Sequence, residues 1–146
     1  MKGTLFLLPT PLGGDWEEVI TPYVAQITRS LKHFIVEDIR SARRYLSKLG
    51  MPVAIDELNF ELLNEHTPTN SIHSLINPLL QGQSAGLLSE AGLPAVADPG
   101  NGLIALSHEN DIKVVPLTGP NSIILALMGS GLNGQNFAFV GYLPIK

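Results

Sequence analysis

Short, continuous apolar runs recur along the chain, separated by longer stretches in which apolar residues fall at helical spacing. The runs are Thr4 to Leu8, Phe34-Ile35-Val36, Phe60 to Leu63, Ala85 to Leu88, Lys113 to Val115 and Phe137 to Val140. Unbroken rather than alternating apolarity is what strands covered on both faces require. Between the first two runs, Thr21 can cap a helix and Pro22 can take its first position, with Val24, Ile27 and Leu31 forming the apolar stripe. A second helix opens at Ser41, carries Tyr45, Leu46 and Leu49, and stops at Gly50. A third begins near Ser71 and places Ile72, Leu75, Ile76, Leu79 and Leu80 on one side, with a bend at Pro78. Leu103 to Leu106 predicts a short helix, and Asn121 to Met128 another. Strand and helix alternate throughout. The pattern predicts an α/β fold: a doubly wound, mostly parallel sheet of about five strands with helices on both faces.

With 146 residues, 45% of them hydrophobic, the chain can bury one ordinary core. The net charge of -4 rules out the broad positive field of a self-sufficient nucleic-acid binder, so any RNA contact has to be local. There is no cysteine, which removes disulfides, thiol nucleophiles and thiolate metal sites and fits a reducing, cytoplasmic setting. His33, His66, His73 and His108 are scattered without paired ligand spacing, so no metal is implied. The apolar start is cut short by Pro9, Pro11 and Gly13-Gly14 and reads as a buried strand rather than a signal segment. No run approaches the roughly 18 apolar residues of a membrane span.

In open parallel sheets, ligands bind beyond the carboxyl ends of the strands, where loops diverge and helix amino termini converge. The least ordinary segments all follow predicted strands. They are Pro9 to Gly14, Glu37-Asp38-Ile39-Arg40, Ser89 to Gly100, and Leu117 to Ser122. Neither a Gly-x-Gly-x-x-Gly nor a Gly-x-x-x-x-Gly-Lys-Ser/Thr pattern is present, which counts against dinucleotide and triphosphate cradles. Pro11-Leu12-Gly13-Gly14, taken alone, is a tight turn. Glu37 and Asp38 stand where many α/β folds hold a ribose hydroxyl, but adjacent carboxylates face different ways, and capping or pairing with Arg40, Arg43 or Arg44 explains them equally. In the long fourth loop, small and rigid residues let backbone approach a ligand closely; Asp98 is expected to stabilise its own turn and cap the next helix, leaving Glu90 the freer carboxylate. Gly119-Pro120-Asn121-Ser122 puts potential donors at a helix start, where capping is the competing explanation. Ser122 lacks a Gly-x-Ser-x-Gly elbow, so a hydrolase triad has no support.

Together, Leu8 to Gly13, Glu37 to Arg40, Ser89 to Gly100 and Pro116 to Ser122 resemble the tetrapyrrole methylases, in the same order and at matching positions after strands. The Glu-Asp-x-Arg segment, the Ala-Gly-x-Pro to Asp-Pro-Gly loop and Gly141-Tyr142-Leu143-Pro144 are most similar to the branch that methylates a cytidine ribose in small-subunit ribosomal RNA. The resemblance implies S-adenosylmethionine as cofactor, bound by Leu12, Gly92, Leu93, Val96, Asn121 and Ser122. Glu37, Asp38, Arg40 and Glu90 become candidates for the methyl acceptor's site, and no catalytic residue is named. Family members are about twice this long, so residues 1–140 are expected to form the cofactor domain and 141–146 to begin a linker to a second domain. The chain is then a fragment, a truncated form or a short form, and a homodimer is expected because such a half leaves apolar surface uncovered. Gly14, where the RNA branch has asparagine, and Leu93, where it has a small polar residue or aspartate, bear on the acceptor. A methylase of a tetrapyrrole or other small molecule, and a non-catalytic cofactor-binding or dimerising module, are the competing functions.

Overall fold

The computed structural model describes residues 1–96 and 100–144. Five strands form one sheet: β1 Thr4–Leu8, β2 His33–Val36, β3 Asn59–Leu62, β4 Ala85–Leu88 and β5 Lys113–Pro116, in the spatial order β3-β2-β4-β1-β5 and all parallel. The central register places Leu5 beside Ala85 and Leu8 beside Leu88. Helices α1 Pro22–Ser30 and α2 Ile39–Leu49 alternate with α3 Thr69–Leu75, α4 Asn77–Leu80, α5 Asn101–Glu109 and α6 Ser122–Ser130.

Period-two alternation within the continuous apolar runs divides the core into two layers. Leu5, Ile35, Ala85 and Leu87 pack with Leu75, Leu79 and Leu103 from α3, α4 and α5. Leu8, Phe34, Val36 and Leu88 pack on the other face with Ala25 of α1 and Ala42, Leu46 and Leu49 of α2. The sheet is therefore doubly wound, as the sequence pattern predicts.

Local signals account for the helix starts. The Thr21 hydroxyl accepts a hydrogen bond from the Val24 amide at 3.1 Å, with Pro22 in the first turn of α1. Asp38 caps α2, so Ser41 lies in the first turn rather than at its start. The helix expected through Pro78 is broken rather than bent: α3 ends at Leu75, and Pro78 sits in the first turn of α4, where its missing amide hydrogen is harmless. The last expected strand is corrected as well. Residues 137–140 form neither strand nor helix; Phe137, Phe139 and Val140 are exposed, with no neighbouring strand to pair with. Asp98, with its expected capping role, lies outside the described residues, as do Ile145 and Lys146.

Candidate functional site at the carboxyl edge

Because all five strands are parallel, the loops after them share one edge. The first and fourth loops are tied together there by an isolated antiparallel bridge: the Thr10 amide donates to the Gly92 carbonyl and the Gly92 amide to the Thr10 carbonyl, both at 3.0 Å. Gly92 has φ +80°, a conformation that favours glycine. A Cβ on Gly92 would lie 3.1 Å from Leu12 Cδ2 and 3.4 Å from the Pro120 carbonyl oxygen. The backbone groups expected to meet a ligand at Gly92 are thus committed to Thr10, and its contribution to a site is the space its missing side chain leaves.

Leu12, Gly92, Leu93, Val96, Asn121 and Ser122 line one small cavity of about 30 Å³. The three loops that carry these residues converge as expected. Asn121 also caps α6, its Oδ1 accepting from the Ile123 amide at 2.9 Å. Tyr142, at the far end of the chain, lines the same cavity. Pockets that enclose a small molecule run to roughly 300–1,000 Å³, so this cavity is too small to enclose one by itself. Apolar Leu12, Leu93 and Val96, the gap at Gly92 and a helix amino terminus suit its wall to a ligand with a flat apolar portion and a polar or charged end.

A larger cavity of about 480 Å³ adjoins it, the two sharing Leu12 and Ala91. Its walls are the first loop, with Trp16 in the single-turn helix Trp16–Glu18, one face of α2, and Glu90. Glu90 is the only one of the four acceptor candidates among its lining residues. Glu37 Oε1 instead accepts from the Glu90 amide at 2.8 Å, joining the ends of β2 and β4. Asp38 accepts from the Ser41 amide at 2.8 Å, and hydrogen bonding by Ser41 holds its carboxyl below the usual range. The two adjacent carboxylates do face different ways. Arg40 is exposed and lines neither cavity, and Arg43 turns to Asp56, 2.7 Å away. The sequence reading missed Trp16, Tyr45 and Lys48. The signal was present in Ser41, Arg44, Tyr45 and Lys48, which repeat at i, i+3, i+4 and i+7 and so share one helix face. Burial pushes the Tyr45 phenol up to about 12.

The two adjoining cavities lie at the carboxyl edge of a doubly wound parallel sheet, the edge where open α/β sheets bind their ligands. No family model matches the chain. Curated proteins called ribosomal RNA small subunit methyltransferase I are similar over nearly all of it. The one from Vibrio cholerae is 36% identical over 144 residues, 97% of this chain and 47% of that protein. Those from Xylella fastidiosa and Halalkalibacterium halodurans are 34% and 32% identical, over 99% and 98% of this chain. The chain is homologous to these methyltransferases and spans about half their length.

Proposed function

We propose that the chain is the S-adenosylmethionine-binding half of a cytoplasmic methyltransferase that acts on a ribose 2′-hydroxyl of small-subunit ribosomal RNA. Two facts support this reading. The homology runs through nearly the whole chain, and the six residues named for the cofactor from the motifs come together around one cavity. S-adenosylmethionine supplies an electrophilic sulfonium methyl when bound. Leu12, Leu93 and Val96 would hold its apolar portion, and the start of α6 would face its carboxylate. Transfer by in-line attack needs positioning and removal of one proton from the attacking hydroxyl. From this half, Asp15, Glu17 and Glu90 are the carboxylates that line the cavity beside the proposed cofactor wall.

Residues 1–140 act as the cofactor domain in this reading, and 141–146 lead to a second domain. A homodimer is part of the same reading, supported by the uncovered apolar surface of α6. The larger cavity mixes Arg44 and Lys48 with Asp15, Glu17 and Glu90, which is not the apolar trough that a tetrapyrrole's flat ring asks for.

The test is tritiated methyl transfer to undermethylated small ribosomal subunits. It uses the chain joined to the portion of the Vibrio cholerae relative that it does not match. Label recovered in a 2′-O-methylated nucleoside is expected; label absent from RNA sinks the reading. The 146-residue chain alone is expected to bind S-adenosylmethionine weakly in equilibrium dialysis, because ordering loops for one wall of a site costs free energy that few contacts offset. Tight binding by a proven monomer overturns the half-site assignment.

A further inference from the structure

We propose that Trp16 is a positioning residue for the cofactor: it latches the first loop to the last turn of α2 and thereby sets Leu12 in the wall of the smaller cavity. This role presupposes the cofactor reading above, although Trp16 itself does not line that cavity. Leu12 is carried on a span with little support of its own. Residues 12–15 are exposed, and among the described residues 11–14 make no hydrogen bond. Gly13 has nothing within 4 Å of where a Cβ would stand, and Gly14 has φ +74°, a conformation that favours glycine. Paired glycines multiply the conformations open to such a span, so its position is imposed from its two ends. At one end, Thr10 exchanges both backbone hydrogen bonds with Gly92. At the other stands Trp16, whose Nε1 donates to the Lys48 carbonyl at 3.2 Å and whose ring centroid lies 5.6 Å from the Arg29 guanidinium.

The chemistry of a helix end makes this second anchor firm. The last carbonyls of a helix have no partner within it. Trp16 takes that of Lys48, while Arg29 donates to the carbonyls of Leu49 at 2.9 Å and Gly50 at 3.1 Å. The Arg29 side chain therefore ties the tryptophan ring, the end of α2 and α1 together. Because α2 buries Ala42, Leu46 and Leu49 against the sheet, the anchor belongs to an element with a fixed place. The single-turn helix carries that place back toward Leu12: the Asp15 amide donates to Glu18 Oε1 at 3.3 Å, and the Glu18 amide to the Asp15 carbonyl at 3.2 Å. Gly13, Gly14 and Asp15 alone separate Trp16 from Leu12. Leu12 in turn lines both cavities, and its Cδ2 stands 3.1 Å from where a Cβ on Gly92 would be. A loop ordered in advance spares the ligand the ordering cost, and a loose one takes that cost out of its affinity.

The test compares Trp16→Phe, which keeps a ring beside Arg29 and loses the donor, with Trp16→Ala, which loses both. Two quantities are measured on the whole chain: backbone amide order parameters at Leu12, Gly13 and Gly14, and the dissociation constant of S-adenosylhomocysteine by dialysis, corrected to the folded fraction from urea curves. In the wild type the order parameters should be close to the rigid value of about 0.85, and in Trp16→Ala they should fall toward about 0.6. Affinity should weaken about fivefold in Trp16→Phe and about threefold further in Trp16→Ala, so that phenylalanine restores part of what alanine loses. Order parameters alike in all three proteins overturn the latch. A loosened loop with an unchanged dissociation constant in the folded fraction overturns the positioning role. A wild-type chain that binds no S-adenosylhomocysteine sinks the cofactor reading and this role with it, and the order parameters then still show whether Trp16 holds the loop.

Discussion

Helices α2 and α6 both begin at the carboxyl edge after a strand, yet they meet their surroundings in opposite ways. In α2, Ala42, Leu46 and Leu49 are buried against the sheet, and the polar stripe from Ser41 to Lys48 faces the larger cavity. In α6, residues 123 to 128 are apolar without a break, and no residue is buried; Leu125 is 50% and Met128 72% exposed. An amphipathic helix has one partner and one solvent face, whereas a helix apolar all round belongs inside something larger. The comparison teaches that the partner of α2 is this domain's own sheet, and that α6 offers a surface this domain does not cover.

The sharpest test sets one leucine of each helix against the other. Leu46→Ala should lose about 2–5 kcal/mol in urea denaturation, because Leu46 is fully buried and its removal leaves a cavity. Leu125→Ala should stay within about 0.5 kcal/mol at protein concentrations too low for association. Equal losses would mean that α6 is packed in the isolated chain, and the contrast would fail.

Between the two helices lies the Gly92 bridge. Gly92→Val should lower stability by about 1–3 kcal/mol, since a branched residue at φ +80° is strained and its Cβ meets Leu12 and Pro120. It should also abolish S-adenosylhomocysteine binding by the fraction that remains folded, because the added atoms occupy the cavity that Leu12 and Gly92 share. A lower melting temperature with an unchanged binding constant in the folded fraction would make the loop scaffold only.

The exposed face of α6 carries the association prediction. Sedimentation should find dimers of the chain, and Leu125→Glu should shift them to monomers by placing a charge on the apolar surface. A wild-type chain that stays monomeric at high concentration removes the second copy as the cover for α6.

How far the sequence was legible follows the same division. β1 and β4 were readable to the residue because buried parallel strands are continuously apolar, and Thr21-Pro22 and Gly50 marked helix ends by chemistry that acts locally. Residues 137–140 have the same local apolarity as a strand, but pairing is a long-range property and the sheet has no strand beside them. Six of the nine residues lining the smaller cavity are ones that the loop motifs singled out, since glycine and proline punctuation marks where loops turn. Trp16 and Lys48 escaped because they join across 32 residues of sequence, through a side-chain bond to a backbone carbonyl. Asp38 caps α2 and Arg40 is exposed to solvent, outside both cavities.

The smallest expected effect lies at the end of the sheet far from α6, where burial rather than exposure creates the tension. His33 opens β2 and is 4% exposed, and its Nε2 stands 3.5 Å from Glu61 Oε2 on β3 without either atom making a hydrogen bond. Desolvation by burial holds the His33 pKa below 6.5, and the attraction of Glu61 opposes it only in part. The neutral ring is therefore favoured in the fold. As pH falls below 6.5 the unfolded chain takes up the proton first, so stability drops with falling pH until the folded-state pKa is passed, and is highest above 6.5. Urea midpoints measured across this window should fall for the wild type and fall less for His33→Gln, which has no proton to gain. Glu61→Gln should steepen the loss, because the anion that favours the charged ring is gone. Identical pH slopes for the wild type and His33→Gln would show that this histidine titrates alike in both states, and that the β2–β3 edge is as open to water as α6.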